Sequence, residues 1–112
     1  MIKIKLFLLF FGMQLTVNAQ KTFSGQEVAE KTAQKMKDSL SLSKEQHRAI
    51  YKINLDLNQQ KLDVFRRRPA ADTLQRQVQR IENRRDSLYS KVLNKPQYQQ
   101  YQKKKAVLMS AN

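Results

Sequence analysis

Side chains able to do acid–base, nucleophilic or metal chemistry are few in this chain and lie apart. It has one histidine, His47, and no cysteine. Catalysis by a base or a nucleophile needs a positioned pair of groups within hydrogen-bond reach, and a lone histidine does not make one. His47 stands at the fourth helical position after Ser43, where a side chain packs back on the residue before the helix cap. It is read as a half-exposed ring leaning on Leu42, with a metal-binding or pH-sensing role as the alternative, because histidine titrates near neutrality. The carboxylates are spread out and matched by cations. Glu82 lies three residues before Arg85 and Asp72 four before Arg76, both spacings at which charges pair along a helix. The Glu82 and Asp86 carboxylates, one turn apart, have Arg84 and Arg85 between them, which opposes a hard cation needing several oxygen ligands. The expectation is a protein that is not an enzyme and holds no metal or cofactor.

Positive charge is abundant and concentrated. The 22 Lys and Arg against 9 Asp and Glu give a net charge of +13 over 112 residues. Arg66, Arg67 and Arg68 close one predicted helix, while Arg76, Arg80 and Arg84 recur every four residues along the next, away from its apolar seam. Such a stripe reads either as a solvated face or as an electrostatic footprint for an acidic partner. Arg85 falls inside the seam. Its stem is expected to lie along apolar neighbours with the guanidinium reaching water, or else to join exposed Leu and Tyr side chains in a mixed basic and apolar surface.

The first residues bear on which partners are available. Lys3 and Lys5 precede an apolar run from Leu6 to Met13, and Val17-Asn18-Ala19 resembles a small-residue cleavage site. The apolar run is well short of the roughly 20 residues that span a bilayer. Residues 1–19 are therefore read as a secretory signal peptide cleaved after Ala19, and 20–112 as a single helical domain. Cleavage takes away nineteen of the 112 residues, Lys3 and Lys5 among them, and lowers the net charge from +13 to +11. Without cysteine the exported chain carries neither a disulfide nor a thioether-linked lipid. Nucleic acid, the usual partner of so basic a chain, is not expected outside the cytoplasm. Acidic or unfolded polypeptides and the phosphates of a membrane surface remain, the latter as contact without insertion, and both would bind in a salt-sensitive way.

The elements that must position these groups are all helical. Ala29, Ala33, Met36 and Leu40 follow a 4-3-4 spacing that predicts a first helix over 26–40, with a stripe of small residues expected to add least to a core. A second helix is expected from Ser43 to near Arg67. Ile50, Ile53, Leu57 and Val64 share one face, and Tyr51, Leu55, Leu62 and Phe65 the adjacent one. At about 100° per residue the two sets cover an arc wider than packing on one neighbour requires, so this helix should meet two surfaces. Pro69 pushes Arg68 out of the α region, and Pro69 or Asp72 is expected to open the third helix. There Leu74, Val78, Ile81, Arg85, Leu88 and Val92 step 4-3-4-3-4 like a heptad seam. A shorter fourth helix carries Tyr98, Tyr101 and Leu108 and ends near Ala111. A helix of about 25 residues is about 37 Å long, against a radius of gyration of about 12 Å for a compact domain of this size. The fold expected is all-α, with elongated antiparallel helices, three long and one short, and apolar surface covered by pairing two chains in a thin homodimer.

Two short stretches write the same helix-start signal. Leu42-Ser43-Lys44-Glu45-Gln46 and Leu93-Asn94-Lys95-Pro96-Gln97 each place a Leu, a capping residue, and a Gln three positions after the cap. The Ser43 or Asn94 oxygen can accept from the third helical N–H, while Gln46 or Gln97 reaches back to the cap's own N–H. The pattern resembles the LTxxQ motif, also found twice per chain, of the Spy/CpxP family of small helical periplasmic proteins. This chain departs from that motif in lacking Thr in both copies and in having Pro96 where an acidic residue is usual. The resemblance implies a periplasmic, cradle-shaped antiparallel homodimer that holds unfolded or partly folded envelope proteins without ATP. It maps Leu42, Ser43, Gln46, Leu93, Asn94 and Gln97 as structural motif residues. Other relatives restrain an envelope-stress sensor kinase, and a metal-binding branch uses His, Cys or Met ligands. The candidate client-contact residues, Arg66, Arg67, Arg68, Arg76, Arg80 and Arg84 with Tyr51, Leu55, Leu62 and Phe65, come from charge and apolar patterning alone.

Overall fold

The computed structural model describes residues 25–110, so the secretory segment expected over 1–19 lies outside the described residues. Four helices and no strand occur among them: α1 (Gly25–Leu40), α2 (Lys44–Arg66), α3 (Ala71–Val92) and α4 (Lys95–Leu108). Two are long, α2 with 23 residues and α3 with 22, whereas α1 has 16 and α4 has 14. The expected division into three long helices and one short is thus corrected to two and two.

The small-residue stripe of α1 lies entirely inside: Ala29, Ala33, Met36 and Leu40 are all buried. The expectation that it adds least to the core does not hold, because small side chains let α1 lie close against α2 and Met36 fills the remaining space as one of the largest fully buried side chains. Ser41, in the left-handed region at φ 55°, ends this helix. The Leu42 N–H then donates back to the Lys37 carbonyl at 3.2 Å, closing the turn while Leu42 is buried as an apolar stop.

Both predicted capping boxes form. Ser43 Oγ accepts from Gln46 N and Gln46 Oε1 accepts from Ser43 N, and the same pair of bonds joins Asn94 and Gln97. Helix α3 begins differently. Its cap position is Ala70, with no side-chain bond, and Asp72 only accepts from its neighbour Thr73 N. Neither Pro69 nor Asp72 opens α3. Arg68 at φ 48° reverses the chain, and its N–H donates to the Phe65 carbonyl. Pro69 has no N–H for the second bond of such a turn, so α3 starts two residues beyond it.

The apolar interior falls into two clusters. One gathers Met36, Leu40, Leu42, Ile50, Tyr89, Leu93, Tyr101 and Leu108 from all four helices and the two short connections, and the other, Leu57, Val64 and Ile81, belongs to α2 and α3 alone. Between them lies a polar layer. Asn54 Nδ2 donates to the Ala29 carbonyl at 3.4 Å, the Tyr89 hydroxyl donates to Asn54 Oδ1, and Arg85 donates to Asn58 Oδ1 at 3.3 Å and to Glu82. As the partners rise from Asn54 through Asn58 to Lys61 on α2, they fall from Tyr89 through Arg85 to Glu82 on α3. Arg85 is 5% exposed, so its guanidinium does not reach water but is paired inside. The heptad seam is corrected in the same region. Tyr89 is fully buried while Leu88 is only partly buried, since a straight helix turning 3.6 residues drifts off a strict seven-residue repeat.

The two capping boxes also bond to one another. Gln46 Nε2 donates to Gln97 Oε1 at 2.7 Å and to the Val92 carbonyl at 3.1 Å, while Gln97 Nε2 donates to Gln46 Oε1 at 3.2 Å and to the Leu40 carbonyl at 3.4 Å. Each amide oxygen closes its own helix start, and each amide nitrogen reaches the other glutamine and a carbonyl at the end of the helix before the other's cap. Leu42 and Leu93, the residues before the two caps, are both buried in the four-helix cluster beneath. Replacing Gln46 or Gln97 by Ala should each cost about 1–2 kcal/mol. In a double-mutant cycle read by urea unfolding, the pair should couple by at least about 0.5 kcal/mol; strictly additive losses would show that the amides act independently.

Candidate functional site

The long α2–α3 pair extends past the four-helix cluster, and its far end is one place where apolar side chains meet solvent, Val107 of α4, 72% exposed, being another. Leu62 is 44% exposed and Phe65 49%, with Val28 of α1 also open at 42%. The reason is geometric. Gln46 and Leu62 are about 24 Å apart along α2 at 1.5 Å per residue, and the four-helix cluster lies at the Gln46 end. Beside Leu62 and Phe65 the start of α1, the end of α2, the middle of α3 and residues 109–110 enclose a groove of about 470 Å³, within the usual range for ligand clefts.

Of the ten residues expected to contact a partner, only Leu62 and Phe65 line this groove. Leu55 is partly buried, and Tyr51 is partly buried as well, packed on the four-helix core. Tyr51 is therefore corrected from a surface contact to a core flank, because Ile53 and Tyr98 join it there. Arg66, Arg67 and Arg68 are exposed at the α2–α3 turn, and Arg76, Arg80 and Arg84 are exposed along α3, with Arg76 donating to Thr73 Oγ1 at 3.4 Å. None of the six lines the groove.

The cations of the groove are others. Lys31, Lys35, Lys61 and Arg85 line it with a single carboxylate, Glu82. Sequence reasoning missed Lys31 and Lys35 because lysines outside the buried stripe of a short helix look like ordinary solvated positions. The available signal was their place one turn and two turns after Val28, an apolar residue outside the buried stripe of α1. Lys35 Nζ donates to the Ser110 carbonyl at 3.1 Å, which holds the end of the described chain against α1.

Electrostatics fix the α3 wall. Burial pushes the Glu82 carboxyl up, but the hydrogen bond from Lys61 at 2.7 Å and the charge and hydrogen bond of Arg85 outweigh it and hold Glu82 below its ordinary value. One turn further along α3, Asp86 accepts from the Tyr101 hydroxyl and from Lys105 Nζ, both at 2.7 Å, tying α4 to α3. Burial, and then the bond to Asp86, raise the Tyr101 hydroxyl far above its ordinary range, so it stays a donor. His47 Nε2 lies 3.4 Å from Glu30 Oε1, so its neighbour is a carboxylate of α1. Among the described residues no group of three or more His, Cys, Asp or Glu side chains comes together, and no helix is long and apolar enough to cross a membrane.

Because its folded pKa is depressed, Glu82 contributes stability that is present above the ordinary carboxyl value of 4.5 and is lost as pH falls through the lower folded value. At neutral pH Glu82→Gln should be less stable than the wild type by about 1–2 kcal/mol. Urea unfolding at a series of pH values should show that gap closing below 4.5; a gap independent of pH would remove Glu82 as its source.

Comparison of the chain with protein-family models, with curated proteins and with solved structures found no match.

Proposed function

We propose that this protein is a non-enzymatic holding protein of the bacterial periplasm, which binds unfolded or partly folded envelope proteins through a basic, partly apolar helical surface without ATP. The observation that carries the reading is the exposure of Leu62 and Phe65 beside a groove whose lining has four cations and one carboxylate. Exposed apolar residues capture the segments a misfolded chain fails to bury. Surrounding positive charge speeds encounter with acidic chains and makes capture sensitive to salt. The arginines of the α2–α3 turn and of α3 extend the positive field beyond the groove. The two LTxxQ-like boxes and the signal-like first residues support the same reading.

In this proposal two copies pair with elongated helices antiparallel, forming a shallow cradle with the Leu62 and Phe65 ends left open. Small-angle scattering of the mature protein should give the mass and length of a thin dimer; a compact monomer would overturn that arrangement.

Aggregation of a reduced client, followed by light scattering, should be suppressed at near-stoichiometric ratios and less so in high salt. A Leu62→Asp and Phe65→Asp variant should lose most of the suppression, while one with Arg76, Arg80 and Arg84 changed to Ser should keep capture with a weaker salt dependence. No suppression at any ratio would refute the holding role, and capture of one dominant membrane partner would identify a regulator of a sensor domain instead.

A further inference from the structure

The groove contains one feature that capture of a passing chain does not require. Arg85 forms part of its wall, is 5% exposed, and has an Nε–H with no hydrogen-bond partner, although its two terminal nitrogens bond Glu82 and Asn58. A buried donor left unsatisfied costs about 1–3 kcal/mol, so an acceptor that reached this Nε–H as the side chain shifts would relieve that cost.

The surrounding groups define that acceptor. Lys31, Lys35, Lys61 and Arg85 face one carboxylate, Glu82, which is already committed to Lys61 and Arg85. Taking formal charges, the lining is net positive by three. Val28, Leu62, Phe65 and Met109 supply the apolar part of the same lining. A volume of about 470 Å³ suits a small molecule rather than a folded partner.

We propose that this groove is a binding site for a medium-chain fatty acid, with its carboxylate among Arg85, Lys35 and Lys61 and its tail along Val28, Leu62, Phe65 and Met109. The assignment shares Leu62 and Phe65 with the client-holding reading but stands on Arg85 and the charge of the lining, so either can fail without the other. The carboxylate accepts hydrogen bonds from fixed cationic donors, and the tail removes from water the apolar surface that Leu62 and Phe65 leave open.

Titration calorimetry and amide NMR of the mature protein with dodecanoate, kept below its micelle concentration, test the proposal. Dodecanoate should bind one to one and shift amides at Val28, Lys35, Leu62 and Arg85, with dodecanol at least about tenfold weaker, the loss expected when a charge-assisted bond goes, and dodecyltrimethylammonium not bound. Leu62→Asp, outside the buried core, should weaken dodecanoate at least about tenfold while leaving the urea midpoint unchanged, and Lys35→Gln, which also loses its bond to the Ser110 carbonyl, should weaken dodecanoate by more than any shift in that midpoint accounts for. Arg85→Met should abolish the preference of dodecanoate over dodecanol, and Leu62→Asp keeps the test decisive where Arg85→Met does not fold. Absence of dodecanoate binding, equal binding of the cationic or neutral analogue, or binding of an acidic peptide with none of dodecanoate would each overturn it.

Discussion

The mutual bonding of Gln46 and Gln97 is the constraint on which the arrangement of the four helices rests. A helix start leaves backbone N–H groups without partners, and a helix end leaves carbonyls. Here one pair of primary amides serves both needs at two places. The oxygens complete the starts of α2 and α4, and the nitrogens satisfy Val92 and Leu40 near the ends of α3 and α1. The α1–α2 and α3–α4 connections are thereby held together, with Leu42 and Leu93 buried beneath.

Everything away from that junction is thinner. Tyr89 and Tyr101 meet edge to face at 5.0 Å between centroids within the four-helix cluster, and Asp86 draws in Tyr101 and Lys105. Beyond Asn54 and Arg85 the apolar cluster belongs to α2 and α3 alone. A two-helix layer cannot cover both flanks of each helix, which leaves Leu62 and Phe65 in solvent. The open surface therefore follows from helix lengths, with α1 and α4 too short to cover both flanks of the pair.

Local signals in the sequence carried well into the structure. The stripe of α1, the extent of α2 and the caps at Ser43 and Asn94 depend on neighbours within one turn, so spacing alone reveals them. What escaped depends on distant partners. Asn54 lies four residues after Ile50 and three before Leu57, on the same buried face, yet a polar residue is read out of a core unless its acceptors are known. Tyr89 displaced Leu88 from the seam because its hydroxyl has Asn54 to meet. The groove was half legible: Leu62 and Phe65 followed from the over-wide arc of α2, whereas Lys31 and Lys35 joined them only when α1 folded alongside. The exposed arginines read as expected in position, but no other element comes to meet them in the groove.

The reciprocal amides also limit how this chain can vary. Each glutamine uses its oxygen as an acceptor and its nitrogen as a donor at once, so replacement by glutamate, nearly identical in shape, removes every donor and sets a carboxylate against one backbone carbonyl oxygen and the other amide's oxygen. Neither position can drift alone without orphaning backbone groups on a helix remote in sequence. Two sites 51 residues apart are therefore constrained together, and what a change at one costs depends on the residue at the other.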